Sequence, residues 1–163
     1  MADTIALVNK GKVEQIGPPE ALFDTPANTF VASFVGDPPM NILDTQLENG
    51  NLVIDCDVNF QFPLPKNAPR AKMDEINKKK YKVGIRPKDI QLLPGDSKSA
   101  HTRGRVKNVE SLGQTTIVFL TVGCLEMKVK VETETAPKRE ELVSVNLDLT
   151  QLHYFDGETC VRL

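Results

Sequence analysis

The 163-residue chain carries 20 Lys and Arg against 22 Asp and Glu, a net charge of −2 and a pI near 5.7. It therefore lacks the basic excess by which nucleic-acid binders neutralise phosphates. A hydrophobic content of 40% excludes wholesale disorder, and no run reaches the roughly 20 apolar residues that span a bilayer.

In chain order, Ile5-Ala6-Leu7-Val8 is a short apolar run, the pattern of a strand buried on both faces. Asn9-Lys10-Gly11 supplies a turn, and Val13 to Ile16 return as an edge strand. Gly17-Pro18-Pro19 opens a short helix holding Ala21, Leu22 and Phe23. Thr25 as N-cap and Pro26 as the first helical residue predict a second helix, with Ala27, Phe30, Val31, Phe34 and Val35 on one face and Gly36 as its stop. This segment is too short to enclose its own phenylalanines. They are expected to pack on the β region or on a second copy, leaving Ile5, Phe30 and Phe34 covered.

Asp37-Pro38-Pro39 is a stiff joint, and the texture beyond it is β. Leu43, Thr45 and Leu47 alternate, Asn49-Gly50 marks a hairpin, and Leu52, Ile54, Cys56 and Val58 alternate on the return. Phe60, Phe62 and Leu64 continue until Pro63 and Pro65 intervene, and Ala71 to Lys80 reads as a short helix or a loop. Val83 and Ile85 restart a strand ending at Arg86-Pro87. Further strands are predicted over 104–109, 116–122, 125–131 and 145–149. Tyr154-Phe155 then leads through an Asp156-Gly157 turn to a last strand through Val161. Short strands at regular spacing imply an antiparallel barrel or sandwich.

Catalytic patterns are missing. The sequence has no phosphate-binding G-x-x-x-x-G-K, no G-x-G-x-x-G, no G-x-S-x-G and no H-E-x-x-H. His101 and His153 are the only histidines, which leaves general acid–base chemistry and zinc binding few candidates. Cys56, Cys124 and Cys160 form no C-x-x-C pair and read as three reduced thiols, at least partly buried. The basic run Lys66, Arg70, Lys72, Lys78, Lys79, Lys80 and Lys82 is interrupted by Asp74 and Glu75 and reads as a solvated connector. Met-Ala-Asp-Thr at the N-terminus lacks the features of a secretory signal, so a soluble cytoplasmic protein is expected.

Met1 to Asn41 resembles the end of the ATPase domain in MalK-type subunits of sugar ABC importers. The match is carried by Pro26-Ala27-Asn28, Phe30-Val31-Ala32, Phe34-Val35-Gly36 and Pro39-Met40-Asn41, the last favouring the sugar branch. The remainder resembles that subunit's regulatory domain, an oligonucleotide/oligosaccharide-binding (OB) type called TOBE. Val83-Gly84-Ile85-Arg86-Pro87, Val109-Glu110 with Leu112-Gly113, and Phe155-Asp156 with Glu158-Thr159 and Arg162-Leu163 follow the family pattern. Lys88 stands where that pattern has Glu, Thr115 where Glu is common, and Cys160 where it has Gly.

The resemblance implies a mainly β fold. An OB-like antiparallel barrel (41–163) would follow a hairpin and two-helix remnant of an ATPase domain (1–40). It also implies a truncated subunit whose nucleotide motifs precede Met1, so this chain is expected to be no enzyme and to hold no cofactor. The full-length parent would use ATP and Mg. The implied role is regulation and dimerisation, as a homodimer that reaches membrane permease subunits through the missing ATPase domain. A regulatory protein is a possible further partner and nucleic acid is not one. The parent would sit in the cytoplasm against the inner face of the membrane. Arg86 and Pro87 are expected at a structural corner or a partner contact. Gly113 belongs to a turn, and Glu110 and Phe155 to a dimer interface unless Phe155 is core. The alternative is an oxyanion- or other small-ligand-binding TOBE module.

Overall fold

A computed structural model describes residues 3–76, 80–98 and 100–163. Strands β1 (Ile5–Asn9) and β2 (Lys12–Gly17) form a hairpin, followed by helices α1 (Pro19–Asp24) and α2 (Thr29–Phe34). Then come β3 (Asn41–Glu48), β4 (Asn51–Ile54), β5 (Asp57–Pro63), α3 (Arg70–Ile76), β6 (Lys80–Ile85) and β7 (Ile90–Pro94). The chain ends with β8 (Thr102–Ser111), β9 (Thr115–Val122), β10 (Leu125–Glu132), β11 (Leu142–Leu147) and β12 (His153–Asp156). Two five-stranded sheets result, ordered β12-β6-β3-β4-β5 and β10-β9-β8-β11-β7, with antiparallel pairing throughout.

Alternation builds the core, because every second side chain of a strand faces the same way. Leu43, Phe60, Phe62, Val83 and Ile85 from one sheet meet Val106, Leu120, Val122, Val129 and Val145 from the other in one continuous cluster. Asn49 and Gly50 both have positive φ, 49° and 82°, the backbone of a two-residue hairpin whose twist matches its strands. Asn41 joins the sheets: its side-chain oxygen accepts from Lys128 N at 2.8 Å and its amide donates to Lys128 O at 2.8 Å. One asparagine thus satisfies two backbone groups of β10 from the start of β3.

Several expectations are corrected. The return strand does not run to Val58. The chain turns at Asp55–Cys56, and β5 then starts at Asp57. β7 was not anticipated, and the stretch around Leu149 is a 3-10 turn after β11. Val161 and Arg162 make isolated bridges to Asn28 and Phe155 in place of a last strand. Of the connector, Lys78 and Lys79 lie outside the described residues, and 70–76 is the helix of the two options.

Cys56 and Cys124 are disulfide-bonded, so the reading of three reduced thiols fails. Both sit in exposed turns, one from each sheet, with Cα atoms 6.1 Å apart, within the span a disulfide needs. The pairing is tertiary, which is why 68 residues of spacing gave no hint of it.

The N-terminal segment also departs from its pattern. Asn28, not Thr25, caps α2 by accepting from Val31 N at 2.9 Å, while Ala27 N is taken by Gln15 Oε1. That bond holds the chain extended through Ala27 and starts the helix late. Only Leu7 of the β1 apolar run is buried, and it packs with Leu22 and Val31. Ala32 packs on Met40 and Phe155, so α2 does lie against the sheets. Ile5 (38% exposed) and Phe34 (65%) nevertheless stay open, which overturns the expected cover for those two side chains.

Candidate functional site

The seam between the N-terminal helices and the sheets gathers most of the singled-out residues. Arg86 ends β6 with φ −71° and ψ 143°, the extended backbone that a following proline imposes. Its side chain therefore projects toward the helices instead of continuing the strand. One terminal nitrogen donates to Val35 O at 2.6 Å and Ala32 O at 3.3 Å, the other to Phe23 O at 2.6 Å. These carbonyls lie at the C-terminal ends of α1 and α2, where helices leave acceptors unused. The guanidinium carbon also stands 3.9 Å over the Phe23 ring. Arg86 is thus a clamp that closes two helix ends onto the barrel at once.

Neighbouring residues make room for it. Gly36 has φ +115°, and a Cβ there would meet the Arg86 terminal nitrogen at 3.0 Å. Gly84 leaves space for Met40, since a Cβ would run into its sulfur. Phe155 is fully buried and packs with Met40 and Ala32, and Pro87 is buried in the 3-10 turn after Arg86.

The chain's last residues reinforce the seam. Thr29 N donates to Cys160 O at 3.0 Å and Arg162 N to Ala27 O at 2.9 Å. Asp156 shapes this loop, its carboxylate accepting from the amides of Glu158 at 3.0 Å and Thr159 at 2.6 Å. Cys160 has φ +62°, a left-handed conformation that suits glycine. The glycine of the resembling pattern falls at this position, so Cys160 carries strain that the pattern avoids.

His153 lies beneath, with Arg162 Nη1 3.0 Å from its Nδ1. Burial, then the charges of Arg162 and Arg86, hold its pKa down to about 4, so the ring is neutral near pH 7 and accepts the Arg162 proton. Burial likewise lowers His101, whose Nδ1 accepts from Leu147 N.

Arg86, Pro87 and Phe155 therefore converge, whereas Glu110 and Gly113 belong to the distant-in-topology tip of the β8–β9 hairpin. Glu110 is exposed opposite Ile117, and Gly113 has φ +90° in the turn. The roles of Asn41 and Asp156 escaped sequence reading, although both fall inside quoted motifs. Among the described residues no group of three or more His, Cys, Asp or Glu could hold a metal ion, and no helix is long and apolar enough to cross a membrane.

Residues 36–90 match the family model of the MalK OB fold domain, and 83–155 that of the TOBE domain. The chain belongs to the MalK-type OB and TOBE group. Its mainly β, antiparallel architecture is the one that group implies. Over 98% of its length this OB/TOBE chain is 31% identical to the sn-glycerol-3-phosphate import ATP-binding protein UgpC of Psychromonas ingrahamii, covering 41% of that protein. It is equally identical, over 98% of its length and 44% of the relative, to the trehalose/maltose import ATP-binding protein MalK of Thermococcus litoralis. The multiple sugar-binding transport ATP-binding protein MsmK of Streptococcus mutans is 34% identical over 91% of the chain and 40% of its own length. The chain thus spans less than half the length of these relatives. The cytoplasmic molybdate-binding protein ModG superposes with TM-score 0.57 at 13% identity, over 70% of this chain and 94% of its own; the likeness is one of fold.

Proposed function

We propose that this chain is the regulatory and dimerisation part of the ATP-binding subunit of an ATP-driven sugar importer. On this reading residues 1–40 are the end of the ATPase domain and 41–163 the regulatory barrel. The observation that carries it is the near end-to-end similarity to import ATP-binding proteins, running through both the helical segment and the sheets. The Arg86 clamp supports it, because it ties the ends of α1 and α2 rigidly to the barrel. Movement of an ATPase domain would then be transmitted to the sheets through this buried cation together with the bonds from Thr29 and Ala27 to the chain's last residues.

The exposed apolar face supports the same division. Val8, Val13, Ile16 and Phe34 are each more than half exposed on the hairpin and α2. Val8, Val13 and Ile16 alternate with the buried Leu7 and so share the hairpin face turned away from the helices. Such a face marks a surface made to be covered, and the rest of an ATPase domain is the cover proposed. In the parent, ATP and Mg belong to that part, and permease subunits hold the assembly at the inner face of the membrane. This chain itself binds nucleotide weakly and hydrolyses none. The barrel pairs with its copy across a two-fold axis, using one patch twice.

Sedimentation equilibrium on the chain tests the dimer, with association expected below high micromolar concentration. A monomer there removes dimerisation from the reading. Submicromolar binding of a fluorescent ATP analogue would contradict the assignment of the nucleotide site elsewhere.

A further inference from the structure

Cys56 and Cys124 are both exposed, so a small dithiol reaches the bond between them without the fold opening. The turns they occupy belong to the outermost hairpins of the two sheets, β4–β5 and β9–β10. Each hairpin is also tied to the first half of β3. Asp55 N, beside Cys56, donates to Asp44 O at 3.0 Å. Four residues past Cys124, the backbone of Lys128 is held by the Asn41 amide. β10 is the last strand of its sheet, so among the described residues that bond lies on an edge no strand pairs.

The same elements bound a groove of about 410 Å³. Met40 and Ile42 line it from the start of β3, Phe119 from β9, and Glu126 and Lys128 from β10. The disulfide therefore adds a covalent tie to a wall of the groove that is otherwise held by Asn41 and by core packing.

We propose that the Cys56–Cys124 pair is a reversible thiol switch that sets how firmly the β9–β10 hairpin is held against β3, and so how readily the groove opens. Reduction is an exchange with a dithiol. One thiolate of the reductant attacks a sulfur, breaks the S–S bond and forms a mixed disulfide, and its second thiol then releases the remaining cysteine. The reductant leaves as its own disulfide, and two electrons and two protons stay on Cys56 and Cys124. The hairpin keeps Asn41 and its core contacts, so it loosens locally without unfolding. Exchange with a disulfide oxidant reverses each step. The inference takes one point from the proposed function, the inner face of the membrane. Thiol reductants there make lasting disulfides rare, and those that form are usually transient or redox-sensing.

The whole chain is equilibrated in native buffer across graded ratios of reduced to oxidised dithiothreitol. Alkylation with peptide mass mapping reads Cys56 and Cys124 separately from the free Cys160. Complete, reversible reduction is expected with the folded signal retained. In the reduced chain, the millisecond exchange contribution to backbone amide relaxation should rise at least threefold at 40–42 and 125–130. It should change less than 1.5-fold (about the scatter of such data) at 83–85 and 154–156. The double substitution Cys56→Ser, Cys124→Ser should reproduce the reduced pattern and ignore the reductant. A bond that resists reductant until denaturant is added overturns the switch. So does reduction that leaves the groove unchanged or alters the whole chain evenly, or a double variant that still responds. None of these outcomes bears on the importer reading, which the sedimentation and nucleotide measurements decide.

Discussion

Cys160 shows how a single φ angle sets a residue preference. A side chain at φ +62° costs about 1–2 kcal/mol through contact of its Cβ with the backbone. Glycine escapes that cost but loses about 0.5–1 kcal/mol in chain entropy on folding. The balance favours Cys160→Gly by about 0.5–1 kcal/mol. In a chain of this size that should raise the melting temperature by about 1–4 °C. A thermal melt reads it directly, and a lower melting point would mean that the thiol makes contacts worth more than the strain. Arg86 illustrates the opposite case, a residue whose backbone is ordinary and whose value lies in what its side chain reaches, three carbonyls and the Phe23 ring.

Among the elements, the Cys56–Cys124 disulfide joins the β4–β5 turn to the β9–β10 turn, closing 68 residues of chain. Constraining the unfolded state over such a loop stabilises by about 4 kcal/mol in the chain-entropy account. The double substitution Cys56→Ser, Cys124→Ser should lower the urea midpoint accordingly, and dithiothreitol should do the same to the parent chain. Equal midpoints with and without reductant would show that the bond adds nothing. What could be read ahead of the structure divides along the same line. The hairpin at Asn49-Gly50 and the alternation of Leu125, Met127 and Val129 are local, and both were legible. The disulfide, the Asn41–Lys128 tie and the late start of α2 were not, because each is decided by a partner far along the chain. The Arg-Pro corner lay between, since its extended backbone was readable but the helix ends it grips were not. Phe34 misled because helical spacing reports an apolar face without saying what covers it.

For the whole molecule, the two histidines make stability depend on pH. Burial lowers both, His153 to about 4, so unfolding lets each take up a proton that the native state refuses. Their contribution is complete above about pH 6.5 and is lost as pH falls from there, for His153 down to about 4. Asp89, raised by burial, acts in the opposite sense near the bottom of that window. Stability by urea titration should therefore decline steadily between pH 7 and 4.5. His153→Gln, which keeps an acceptor for Arg162, should flatten the decline. An unchanged slope in that variant would assign the effect elsewhere.

The seam at α2 has a consequence for how the protein is made. Thr29 waits for the carbonyl of Cys160, about 130 residues later in synthesis, and Ala32 and Val35 wait for Arg86. At about 5–20 residues per second, the first of these delays is on the order of ten seconds. Throughout that interval the ribosome presents α2 without its Thr29–Cys160 bond and with Ala32 lacking its Phe155 cover. Any chaperone that shields nascent chains would find its target there, and a stalled or prematurely stopped message would release that helix with no dock.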